Sequence, residues 1–170
     1  MELKQQDIYV ALKLVALKGK SASMQSIGES IGMSASRVHS SLHRLIRSGL
    51  VINDNGYRPM MANLNEFLVH GIRFAFVPEI GQPSRGVPTA SYAPPLVESF
   101  GAAVEISVWP DAEGEVRGVS FSPLHKSAPM AARKDPEFYE LLALVDAIRG
   151  GRARERNLAI KEVSQRLSGS

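Results

Sequence analysis

Apolar residues in "DIYVALKLVALKGK" recur at helical spacing, but in two sets rather than one. At 100° per residue Ile8, Leu12 and Val15 lie on one side, and Val10, Leu14 and Leu17 lie almost opposite. A surface helix carries one such stripe; two predict a helix covered on both sides, ending near Gly19. One stripe is expected to pack within its own domain and the other against a partner subunit or the C-terminal region. Ser23 then marks the N-cap of a short helix, "MQSIGESI", and after the turn "GM" Ser34 caps a longer one, "ASRVHSSLHRLIRS", that stops at Gly49. "LVINDNGYRPM" places two short extended pieces around Asp54-Asn55-Gly56, where Asn and Gly tolerate the positive φ of a hairpin turn.

Helix, helix-turn-helix and β-hairpin in this order make a winged helix, assigned to residues 1–62. Residues 63–170 form a second domain suited to dimerisation or partner binding. It begins with a short helix at "NLNEFLVHG" and a strand-like "IRFAFV". Alternation on both sides of Pro110-Asp111 and Gly114 predicts a second hairpin in "VEISVWPDAEGEVRGVSF". "DPEFYELLALVDAIRGG" is a helix with Asp135 at the N-cap and Pro136 at its first position, and Phe138, Leu141, Leu142, Val145 and Ile148 form its apolar face. "RARERNLAIKEVSQRL" is a last helix with Ala153, Ile160, Val163 and Leu167 aligned. The predicted fold class is therefore α+β.

Residues 77–96, "VPEIGQPSRGVPTASYAPPL", carry five prolines, which by composition reads as a linker. Only Glu79 and Arg85 are charged, however, and Val77, Ile80, Val87, Tyr92 and Leu96 provide apolar anchors. Disordered linkers are more polar than this. An ordered loop is expected, following an extended path over the C-terminal sheet.

Composition narrows the class. Hydrophobic residues make up 44% and charged residues 22%, the balance of a soluble globular protein. The absence of cysteine excludes disulfides, thiolate nucleophiles and cysteine-ligated metal. "MELKQQDIYV" shows no signal pattern and no long apolar run follows, so a cytoplasmic protein with no membrane association is expected. The net charge of +3 is unevenly spread: Lys and Arg outnumber Asp and Glu eight to four over residues 1–60, and the excess reverses over 61–130. A basic first third is what phosphate neutralisation requires.

The chemistry concentrates in residues 23–51. Ile27, Ile31, Val38, Leu42, Leu45 and Leu50 fall where a helix-turn-helix buries its residues. The opposite side of the third helix carries Ser36, Arg37, Ser40, His43, Arg44 and Arg47, with no acid between Ser34 and Leu50. Small hydroxyl residues let a recognition helix enter the major groove, and arginines reach guanine edges or phosphates. "IGESIGMSASRVHSSLHRLIRSGLV" and the hairpin after it resemble the winged-helix bacterial transcription regulators of the MarR type. That resemblance implies duplex DNA binding as a homodimer on a palindromic site. It assigns DNA contacts to Ser34, Ser36, Arg37, Ser40, Arg44 and Arg47, and wing positions to Asn55, Tyr57 and Arg58. Gln25 and His43 complete the candidate DNA-binding set.

The C-terminal part lacks the single long dimerisation helix of that type. "SRGVPTASYAPPL", "PLHKSAP" and "FYELLALVDAIRGGRARER" resemble winged-helix antitoxins of abortive-infection systems with nucleotidyltransferase toxins. This implies an autorepressor whose C-terminal region meets a toxin encoded by the adjacent gene. The leading expectation is a sequence-specific transcription regulator acting as a repressor, and the alternative is such an antitoxin.

Other patterns carry less. Arg149, Arg152, Arg154 and Arg156 form a basic run, either a solvated helix end or a partner or secondary phosphate contact. His39 and His43 are four apart on a helix, but no further ligand accompanies them. "GESIG" matches a nucleophile pattern that requires a preceding strand, and none is present at Ser30. His70, His125 and Trp109 read as packed or hydrogen-bonded residues. With no paired carboxylates, metal cluster or phosphate loop, neither an enzyme nor a cofactor is expected.

Overall fold

In the computed structural model, which describes residues 2–101 and 105–168, the chain is α+β. The first helix, α1 (Gln5–Ala16), is buried continuously from Asp7 to Val15. It is followed by α2 (Met24–Ile31), α3 (Ala35–Arg47) and an antiparallel pair, β1 (Val51–Asn53) and β2 (Tyr57–Pro59), in register Asn53↔Tyr57. Ser23 and Ser34 cap α2 and α3 by accepting from the N–H of Ser26 and Arg37. Gly32 ends α2 at φ 77°, a left-handed conformation that a side chain would strain.

The remainder comprises α4 (Met61–His70), the single turn α5 (Ile72–Ala75), β3 (Ile80–Pro88), two 3₁₀ turns (Ala90–Tyr92 and Leu96–Ser99), β4 (Ser107–Pro110), β5 (Val116–Phe121), α6 (Ala128–Lys134), α7 (Pro136–Gly150) and α8 (Ala153–Ser168). Among the described residues no helix is long and apolar enough to cross a membrane. Asp135 caps α7 as expected, its carboxylate accepting from the N–H of Phe138.

One apolar core runs through both halves of the chain. Its axis is α7, buried from Leu141 to Arg149, with α1, α4, α5, α6, α8 and the first 3₁₀ turn packed around it. This accounts for the two stripes of α1. The helix lies between α3 and α7, so the C-terminal region covers what α3 leaves. Tyr9 of α1 packs against Phe138 at 5.2 Å and donates its hydroxyl to Ile31 O at 2.8 Å. Lys13, almost buried, forms an ion pair with Asp135 at 2.8 Å.

The small sheet departs from expectation. β4 and β5 do not form an antiparallel hairpin: each is antiparallel to β3, so they run parallel to one another and the three strands close. Apolar alternation sets which face of a strand is buried, not which strand it pairs with. The proline-rich stretch is therefore no loop over the sheet, since residues 80–88 are one of its strands. Proline is tolerated because β3 has a neighbour on only one side at each: Pro83 lies opposite Val119 of β5, just after a register shift, and Pro88 opposite Val108 of β4. Gly86 alone meets both, and a Cβ there would come 2.0 Å from Trp109 O. A Cβ at Gly114 would come 2.4 Å from the Cα and O of Gly86, so closure requires both glycines.

"IRFAFV" is not a strand. It continues from α4 as one helical turn that buries Ile72 and leaves Phe74 70% exposed. In α8 Ala159, Val163 and Leu167 are buried, whereas Ala153, expected in that stripe, is exposed.

A polar cluster joins the sheet to α7. Asp146, 1% exposed, accepts from Thr89 Oγ1 at 2.7 Å, Trp109 Nε1 at 2.7 Å and Arg149 Nη1 at 2.8 Å. Burial raises its carboxyl pKa, opposed by Arg149 and the two neutral donors. Asp146→Ala would leave a buried guanidinium without its carboxylate and two donors unpaired. A loss of about 3–5 kcal/mol is expected in urea denaturation.

A pH dependence follows from Asp135. Burial works to raise its carboxyl pKa, but the Lys13 hydrogen bond, the N–H of Phe138 and the Lys13 charge outweigh it, so the group lies below its ordinary value. A lowered folded pKa means stability that is complete above the unfolded value, about 3.9, and is lost as pH falls through the folded one. Asp135→Asn should therefore lower stability at neutral pH and flatten its decline below about pH 4, read by thermal melts across pH.

Candidate nucleic-acid interface

The face of α3 that looks outward is determined by what its other face buries. Val38, Ser41, Leu42 and Leu45 pack against α1 and α2. This leaves Ser36, Arg37, His39, Ser40, His43 and Arg47 in solvent, together with the N-cap Ser34. No carboxylate interrupts the helix from Ser34 to Leu50. The hydroxyls of Ser34 and Ser36 lie 3.3 Å apart at its start. Arg37 and Arg47 form no ion pair among the described residues. Ile46, 38% exposed, is the large apolar side chain that shares this surface.

Arg44 is placed differently. Its Nε and Nη2 donate to the two carboxylate oxygens of Asp7 at 2.8 and 2.9 Å, and Asp7 is wholly buried. The Asp7 hydrogen bond raises the guanidinium pKa, countered in part by burial. Asp7 also accepts from the N–H of Lys4, capping the start of α1. The guanidinium thus fastens α3 to α1, and the sequence-derived contact set keeps its other α3 members on the surface without it. No local signal separates Arg44 from Arg37 or Arg47, because its partner is 37 residues away.

Gln25 is exposed on α2 and its amide donates to Glu29 at 3.3 Å. At the tip of the β1–β2 hairpin Asn55 is exposed at φ 54°. Arg58 pairs with Asp54 at 2.7 Å, with both side chains more than half exposed, a pair of small energetic weight. Tyr57 is half-buried and packs on the core rather than reaching outward. Between the hairpin and the start of α2 lies a cleft of about 340 Å³ lined in part by Lys20, Ser21, Ser23, Asn55 and Arg58. Lys20, passed over in the sequence pattern, lines this cleft between the hairpin and the start of α2. The segment His125–Ser127 reaches the other end of α2, at the turn into α3, where the Ser127 hydroxyl donates to Gly32 O at 3.3 Å.

The C-terminal arginines do not act as a group. Arg149 is no surface contact: it is 5% exposed and donates to Asp146, Phe76 O, Ser122 O and Gln5 Oε1. A helix-end arginine reads as solvated from sequence, but α7 is enclosed on every side along that stretch. Arg152 and Arg154 are exposed, Arg154 lying over the Phe100 ring at 5.3 Å, and Arg156 reaches Gly151 O at 3.3 Å.

His39 and His43 stack edge to face at 5.1 Å, and among the described residues no three His, Cys, Asp or Glu side chains gather into a metal site. Ser30 lies inside α2 and donates to Ile27 O at 2.7 Å. His125 is packed, its ring stacked on Tyr9 at 5.0 Å, and burial, Lys126 and Arg37 all lower its pKa. Trp109 is buried. Comparison of the chain with known protein families, curated proteins and solved structures finds no match.

The two kinds of arginine on α3 separate by stability. Arg44→Ala uncovers a buried carboxylate and should cost about 3–5 kcal/mol. Arg37→Ala and Arg47→Ala should stay within about 0.5 kcal/mol of the parent. Urea titrations of the three variants measure the difference.

Proposed function

We propose that residues 1–62 are a winged helix-turn-helix and that the protein is a sequence-specific double-stranded DNA-binding transcription regulator. The observation that carries this reading is the outer face of α3. It holds Ser34, Ser36, Arg37, Ser40, His43 and Arg47 in solvent, without an acid, beside the β1–β2 hairpin. A helix of this kind fits the major groove, its N-terminal hydroxyls passing close to the backbone while the arginines reach base edges or phosphates. Lys20, Asn55 and Arg58 extend the surface toward a flanking groove. The reading carries with it a homodimer on a two-fold site, as helix-turn-helix proteins commonly use.

A mobility-shift assay on the DNA upstream of the protein's own gene tests this. At low salt a shift is expected that exceeds the shift on random duplex, with affinity falling linearly in log–log dependence on salt. Arg37→Ala and Arg47→Ala should each weaken binding about 5- to 150-fold if they read bases. No shift on either duplex at low salt rejects the proposal.

A further inference from the structure

The helix-turn-helix is not free of the rest of the chain. The segment between β5 and α6 folds over the turn joining α2 to α3. His125 stacks on Tyr9, the N–H of Ser127 donates to His125 Nδ1 at 3.1 Å, and the Ser127 hydroxyl meets Gly32 O. The seat is close: a Cβ at Gly32 would lie 2.5 Å from Ser127 Cβ and 2.9 Å from Met130 Cε. Lys126, between these two anchored residues, is exposed and makes no ion pair among the described residues. It and Arg37, at the start of α3, are both near enough to His125 to lower its imidazole pKa, behind the larger effect of burial.

Lys126, next to the Ser127–Gly32 contact, and Arg37, in the first turn of α3, are thus two exposed, unpaired cations beside the α2–α3 turn, a surface that attracts a polyanion. In helix-turn-helix docking this end of the recognition helix enters the groove while neighbouring elements cross the backbone. We infer that the His125–Ser127 segment is the outer edge of the DNA interface, with Lys126 neutralising a backbone phosphate beside the groove that α3 enters. The inference rests on the DNA-binding reading above and extends that interface past residue 62, to a residue that the helix-turn-helix pattern does not include. Lys126 would contribute affinity and registration without reading sequence, because a single ammonium on a phosphate carries no base information.

The test compares wild type, Lys126→Gln and Lys161→Gln on the upstream duplex and on random duplex over a range of salt concentrations. Lys161 is an exposed lysine of α8, which packs on α4 and α7 and serves as a control of equal charge. The expected result is a Lys126→Gln salt slope shallower by about 0.9, one phosphate, with the same fold-loss on both duplexes. Lys161→Gln should match wild type. If wild type binds and Lys126→Gln keeps its slope and affinity, the inference fails while the regulator reading stands. If wild type binds neither duplex, both fall.

Discussion

Asp146 is a carboxylate with almost no access to water, and side chains from three segments are arranged around it. Thr89 follows β3, Trp109 lies in β4, and Arg149 is one turn further along α7. Through Arg149 the cluster continues to the carbonyls of Phe76 and Ser122 and to Gln5 at the start of α1. A buried charge in a low-dielectric interior is tolerated only when its partners are all in place, so each element has one permitted position relative to α7. The net stabilisation of such a cluster is smaller than the cost of breaking it, because desolvation offsets most of the Coulomb attraction.

Two further ion pairs, each partly buried, carry this constraint outward. Lys13 joins α1 to Asp135 at the start of α7, and Asp7 joins α1 to Arg44 of α3. The orientation of α3 thus depends on α1, and that of α1 on α7. The exposed face of α3 is accordingly presented by a packed frame rather than by a separate module tethered to the remainder. The close contact of Ser127 and Met130 with Gly32 strengthens the same link from the other side of the turn.

Much of the first sixty residues was legible because its signals are local. Ser23 and Ser34 cap helices, Gly32 and Gly49 end them with positive φ, and Asn55-Gly56 turns a hairpin, each within a few residues of chain. The two stripes of α1 correctly indicated cover on both sides, and α7 provides the second. The misplaced residues all depend on distant partners. Arg44 has the composition of a surface cation, yet Asp7, 37 residues away, holds it, and Arg149, beside Asp146 on its own helix, is enclosed by the distant Gln5, Phe76 and Ser122. In residues 77–96 the prolines concealed a strand, because their tolerance there depends on where β4 and β5 begin and end.

By itself the sequence determined the caps, turns and helix periods of the N-terminal region and the acid-free face of α3, since these follow from side-chain chemistry over one or two turns of backbone. Only the tertiary structure decided that β4 and β5 run parallel, that β3 is a strand, and which arginines remain in water. Those outcomes are set by pairing and burial between segments far apart in the chain, where periodicity gives a face but not a partner.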